Sequence, residues 1–207
     1  METLSLRAPL QVPYHDGYSW HSVFESDGNL IEPVAGENRR VESLEQTRKA
    51  LHALLNELRM DGWHLRGTFL LGFGTGAIAA LDAAMAYHEP LGGVVAMSGG
   101  SFLEEHNALD IDTLVKQSGW TQKELPMLIT HNPSEHGLAV EMAVSQATLL
   151  KAWAAKVTYE TYSKPGLLKT QEEVKTLFAF LSPLMITSLH EMALNGDVEE
   201  IAHVEKL

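Results

Sequence analysis

The succession Gly67–Phe73, Gly74-Thr75-Gly76, Ala77–Tyr87, Gly93–Met97 constrains this chain more than any other feature. Two short apolar runs without a charge flank a glycine turn and an alanine-rich stretch of helical length. Strands read as continuous apolar runs when helices cover both faces of a parallel sheet. Parallel neighbours need a crossover between them, usually a helix, and the alanine-rich stretch provides one whose small residues allow close packing. The pattern then repeats: Met127–Thr130 reads as a strand, Gly137–Ala155 as a helix, Val157–Tyr162 as a strand and Gln171–Leu181 as a helix that Pro183 should end. The chain is therefore expected to be α/β, a three-layer α/β/α sandwich built on a mainly parallel sheet.

Around this centre the signals are more mixed. Thr3–Arg7 alternates weakly and reads as a short strand closed by Ala8-Pro9. From Gln11 to Asn38 the chain is rich in Pro, Gly, Asp and Asn, an irregular excursion with Tyr14, Tyr18, Trp20 and Phe24 as aromatic anchors. Ser43 with Gln46 has capping-box spacing, and Leu44, Leu51, Leu54, Leu55 and Leu58 recur on one helical face, which predicts a helix from Ser43 to Met60. Residues 102–122 are polar and loop-like, with a short helix around Ile111–Lys116. The end of the chain, Ile186–Leu207, is amphipathic with a break at Asn195-Gly196, so residues 1–184 are expected to form one domain and 185–207 a C-terminal helical tail.

Composition narrows the function classes. The formal net charge is −12 and no basic cluster exceeds Arg39-Arg40, so nucleic acid and anionic membrane surfaces are not expected partners. There is no cysteine, hence no disulfide framework and no thiolate site, in keeping with the cytosol. No apolar run is long enough to span a membrane. The ten histidines lack the i, i+4 spacing of a helical metal pair, and neither a metal nor a cofactor is expected. Gly72-x-Gly74-x-Gly76 also touches a dinucleotide fingerprint, but the next strand ends Ala96-Met97-Ser98 without the acid that would hold a ribose.

The chemistry concentrates at Gly72-Phe73-Gly74-Thr75-Gly76, between an apolar strand and a small-residue helix. In a nucleophile elbow, flanking glycines permit a sharp strand-to-helix turn that exposes the central side chain above the sheet. Here the flanks are present, and the central residue, Gly74, has no side chain. With Arg7-Ala8-Pro9 and Trp20, Gly93–Gly99, Pro126–His131 and the helix ending Phe180-Leu181, the ordered set resembles the phospholipase/carboxylesterase family of the α/β-hydrolases, which includes acyl-protein thioesterases. The family elbow reads Gly-Phe-Ser-Gln-Gly, so the resemblance puts Gly74 at the nucleophile position and Thr75 at the glutamine. It makes Glu135 the counterpart of the triad acid. The triad histidine would fall within Lys164–Lys169, which contains none.

The resemblance also implies that the family's first central strand, with its oxyanion loop, has no counterpart upstream of Thr3. The sheet is expected to lack its N-terminal strands. Thr3–Arg7 then pairs directly with Phe69–Leu71, or a partner fills the gap, or the edge stands open. The leading expectation is a catalytically degenerate hydrolase homologue that binds a small acyl ligand or a protein. Two alternatives stand beside it: an active carboxylesterase or thioesterase using Thr75, His131 and Glu135 as displaced groups, and an interaction subunit, in a homo-oligomer or with another protein, that docks through the open sheet edge or the acidic tail. Thr75 reads otherwise as a helix cap, and Ser98 as the end of a strand.

Overall fold

The computed structural model describes residues 2–32, 37–99, 112, 115–116, 119–132, 140–154, 156–162 and 167–194. The elements run β1 (Leu10–Gln11), β2 (Tyr18–Ser19), α1 (Asn38–Met60), a 3-10 turn (Leu65–Gly67), β3 (Phe69–Phe73), α2 (Thr75–Ala86), β4 (Gly93–Met97), β5 (Met127–His131), α3 (Val140–Trp153), β6 (Val157–Thr161) and α4 (Gln171–Leu194). The central sheet has four strands in the order β3-β4-β5-β6, all parallel. Side chains alternate across it. Val94, Ala96, Met127 and Ile129 join α1, α2 and α3 in the larger core, and Val95, Met97 and Leu128 meet Leu177, Phe180 and Leu181 of α4 on the other face. This is the expected α/β/α sandwich.

Helix α2 is the pivot of the packing. Every residue from Gly76 to Met85 is buried, because the helix touches β3 and β4 on one side and α1 on the other. Its one charged residue, Asp82, is almost fully buried. The Arg48 guanidinium of α1 sits 3.4 Å away, and the Trp120 indole donates to its carboxylate at 3.3 Å. Burial outweighs both favourable partners and pushes its pKa up to about 6.

Several local expectations need correction. Helix α1 begins at Asn38, before Ser43, because Glu37 caps it by accepting from the Arg39 amide at 3.2 Å. Ser43 is no cap: its Oγ accepts from the Ser22 amide at 2.8 Å and donates to the Arg40 carbonyl at 3.0 Å. Pro183 does not end α4, which runs on to Leu194. The hydrogen bond that proline forfeits belongs to the Ala179 carbonyl. Both residues lie on the exposed face of the helix, where water can take the bond's place. Within the excursion, β1 and β2 form a small antiparallel pair. Tyr14 is no anchor, being 88% exposed, whereas Trp20 packs on the core.

Thr3–Arg7 forms no strand, and no backbone hydrogen bond joins residues 2–9 to β3. Of the three outcomes for this edge, direct pairing is ruled out. The physical cause is spacing: a groove separates the two segments, and a ladder needs them about 4.8 Å apart.

Candidate functional site

In a parallel sheet the turns after each strand collect at one edge, where ligands bind in such folds. Here that edge carries Gly74 after β3, Ser98 after β4 and His131 at the end of β5, in line by register. The turn at Gly74 has φ 56° and ψ −123°, a conformation that costs an ordinary residue strain and that a nucleophile elbow imposes. Its amide donates to the Met97 carbonyl at 3.0 Å, which ties the turn to the neighbouring strand. No described residue lies within 4 Å of a Cβ built on Gly74. Among the described residues the space for a projecting side chain exists, and the side chain does not.

Gly72 before the turn and Gly99 after β4 have the opposite character. A Cβ on Gly72 would lie 2.0 Å from the Gly76 carbonyl oxygen, and one on Gly99 2.7 Å from the Ala77 Cβ. Only hydrogen at position 72 lets the strand pass so close beneath the first turn of α2.

Thr75 is the first residue of α2, and Gly74, not Thr75, is the cap, with no side-chain capping bond. The Thr75 hydroxyl instead accepts from the Trp20 amide at 3.3 Å. Trp20 in turn accepts at its carbonyl from the Thr47 hydroxyl of α1, and its ring lies 3.1 Å from where a Cβ on Gly76 would stand. The loop residue thus braces the elbow against α1. The sequence marks Trp20 as an anchor and as part of the family pattern, but the hydroxyls that hold its backbone come from distant elements and carry no local signal.

His131 is buried at the end of β5, and its carbonyl accepts from the Tyr162 amide at 3.0 Å. Strand β4 stands between it and the elbow strand, a separation of about 10 Å between backbones. By alternation it shares the α2–α3 side of the sheet with Ile129. Glu135 lies outside the described residues. Ser98 has φ 48° and donates its amide to the Thr130 carbonyl at 2.9 Å. Among the described residues no cluster of His, Cys, Asp or Glu could hold a metal ion, and no helix is long and apolar enough to cross a membrane.

His21 is fully buried beside Trp20. Burial, and then the Arg40 charge, lower its pKa from 6.5 to about 4. The folded form therefore resists a proton that the unfolded chain accepts, so the neutral ring costs nothing above pH 6.5 and stability is lost as pH falls from 6.5 toward 4. The loss expected from this group is about 3 kcal/mol. Asp82, whose pKa is raised, acts with the opposite sign between its ordinary value and about 6. Urea unfolding at pH 7 and at pH 4.5, on the native chain and on His21→Gln, measures the difference. A slope with pH that survives the substitution would remove His21 from the account.

Comparison with known proteins agrees with this geometry. The model of the phospholipase/carboxylesterase family matches residues 6–185. An uncharacterized hydrolase of Mycosarcoma maydis, UM10204, is 29% identical over 131 residues, 60% of this chain; the chain spans about half, 47%, of that relative's length. Among solved structures, Arabidopsis thaliana SOBER1 superposes with a TM-score of 0.63 at 19% identity over 86% of this chain and 81% of that one. Esterase PE8 does so at 0.65 and 21%, over 86% and 76%. Zea mays acyl-protein thioesterase 2 gives 0.55 and 16%, over 81% and 74%. These likenesses speak to the fold. The match over 6–185, with an elbow turn at the carboxyl edge of a parallel sheet, shows that the chain belongs to the phospholipase/carboxylesterase family of α/β-hydrolases.

Proposed function

We propose that this chain is a non-catalytic member of its family and works by binding a small acyl ligand or a protein. The observation that carries the reading is the turn at Gly74: backbone dihedrals of an elbow, space above it that no described residue fills, and no side-chain atom there to attack. The histidine-free stretch Lys164–Lys169 supports it from the sequence, since an acid without an imidazole to orient has no triad role. In a serine hydrolase the loss of serine or histidine alone removes about 10⁶ of turnover.

The alternative of a displaced triad has less support. The Thr75 hydroxyl is engaged with the Trp20 amide. His131 stands about two strand spacings from it, whereas a general base must come within about 3 Å of the proton it takes. A fluorophosphonate probe and a short-chain nitrophenyl ester test the proposal together. Neither labelling nor turnover above background is expected; specific labelling of Thr75 or Ser98, lost on replacing that residue, would sink it.

A further inference from the structure

Residues 19–31 lie along α1 as a strap, fastened by one row of that helix. Arg40, Ser43 and Thr47 are three and four residues apart, which places them on one helical face. The Arg40 guanidinium donates to the Ile31 carbonyl at 3.2 Å, the Ser43 Oγ accepts from the Ser22 amide at 2.8 Å, and the Thr47 hydroxyl donates to the Trp20 carbonyl. Trp20 also ties the strap to α2, because its amide donates to the Thr75 hydroxyl at 3.3 Å. Within the strap the Ile31 amide meets the Val23 carbonyl at 2.9 Å, and the Glu25 amide meets the Asn29 carbonyl at 2.7 Å, so the segment closes on itself as a short hairpin. Val23 and Ile31 are buried, yet neither belongs to either core cluster of the sheet; Trp20 packs on the larger one. The strap is held by individual hydrogen bonds, each modest in net worth, whereas the sheet and its helices share a core. Such a segment parts from a fold before the sheet does.

His21 makes this attachment conditional. It sits between the two tethered residues Trp20 and Ser22, and its ring is wholly buried; Arg40, the anchor of Ile31, is buried as well. Burial and the Arg40 charge together hold the ring neutral while the strap is seated. The other charged groups of the strap, α1 and α2 near it have their own settings. Glu25 and Glu37 engage Arg39 at the surface, Asp27 accepts from Asn29, Glu42 is exposed, Glu45 pairs with Lys49, and Arg48 faces Asp82. A proton on His21 would add a second positive charge close to a buried guanidinium. Carrying the ring into water relieves both its desolvation and the repulsion. The strap is the smallest segment whose movement does so.

We propose that the strap is an acid-released cover of the elbow: protonation of His21 beside Arg40 lifts residues 19–31 from α1, frees the Thr75 hydroxyl from the Trp20 amide and uncovers the first turn of α2 at Gly76. Trp20 carries the effect to the elbow, since its indole lies 3.1 Å from where a Cβ on Gly76 would stand. The sign and size follow from linkage. A histidine that titrates at 6.5 in the released strap and at about 4 in the seated one favours release about fiftyfold more at pH 4.5 than at pH 7. Asp82 titrates in the same range, but its partners Arg48 and Trp120 lie outside the strap. The device goes beyond the binding role proposed above and holds whether or not the elbow takes a ligand.

Hydrogen–deuterium exchange of the full chain, read by mass spectrometry and corrected for the intrinsic pH dependence of exchange, is the test. The peptide covering the strap should lose protection about fiftyfold between pH 7 and pH 4.5, while β4 and β5 keep theirs and far-ultraviolet circular dichroism stays unchanged. His21→Gln takes up no proton, and its strap should keep its protection within about threefold over the same range. Arg40→Gln retains a donor for the Ile31 carbonyl and removes the charge, so its pH response should be smaller than the native one. If His21→Gln does not fold, Arg40→Gln and the native profile decide. Loss of protection in β4 and β5 together with the strap would overturn the proposal, because acid would then be unfolding the whole chain. A strap that is unprotected already at pH 7, that stays protected down to pH 4.5, or that loosens as much in His21→Gln as in the native chain would overturn it too.

Discussion

Gly72→Ala should unfold the elbow, with a loss of about 4 kcal/mol or more, whereas Gly74→Ala two residues on should cost only about 1–2 kcal/mol. At position 72 the new methyl would sit 2.0 Å from the Gly76 carbonyl oxygen and 2.7 Å from the Ala77 nitrogen, both of them backbone atoms of the buried helix. Neither can yield without moving α2, and α2 is packed against β3, β4 and α1 at once. At position 74 no described residue lies within 4 Å, and the penalty is that of a positive φ of 56°. For a chain of this size the larger loss should lower the thermal midpoint by about 10 °C and the smaller by about 4 °C. Scanning calorimetry of the two variants gives the comparison. Similar midpoints would mean that the strand and helix do not approach as closely as the turn requires.

The second large effect is a gain. On the non-catalytic reading, Gly74→Ser alone should leave fluorophosphonate labelling within about tenfold of background, since that reading has no imidazole to activate the hydroxyl. If a histidine at Leu167 comes within hydrogen-bond reach of the introduced serine, Leu167→His should raise its labelling by about 10²–10⁴, the contribution of a positioned general base. Leu167 is 43% exposed and follows β6 before α4, so a histidine there reaches solvent and lies at the same edge of the parallel sheet as the elbow. It also falls in the stretch where the family resemblance places the triad histidine. Intact-mass detection of the labelled chain reads the result. Strong labelling of the single variant would mean that a base is already present, and the non-catalytic reading would fail.

The strands and the elbow were legible in the sequence for a local reason. Phe69–Phe73 and Gly93–Met97 are uncharged runs bounded by glycine; Gly93–Met97 is buried along its whole length, as a central parallel strand requires, and Phe69–Phe73 has the same composition although Leu71 and Phe73 stand exposed at the sheet's edge. The glycines of the elbow were legible because a turn this tight admits little else. Helix ends were less so. Ser43 carries the signature of a cap and is used instead to fasten the Ser22 loop, and Pro183 carries the signature of a stop at a place where solvent tolerates the lost bond. In both cases the competing partner lies far away in the chain or outside it, in water.

From residue order alone came the fold class, the family and the vacancy at Gly74, because each depends on which side chains are present within a few positions of one another. Tertiary structure alone decided that no described residue fills the space above Gly74, that Trp20 braces the turn between Thr47 and Thr75, and that no described strand pairs with the outer edge of β3. These depend on distances between segments remote in sequence, set by how helices and strands pack once their own patterns are satisfied.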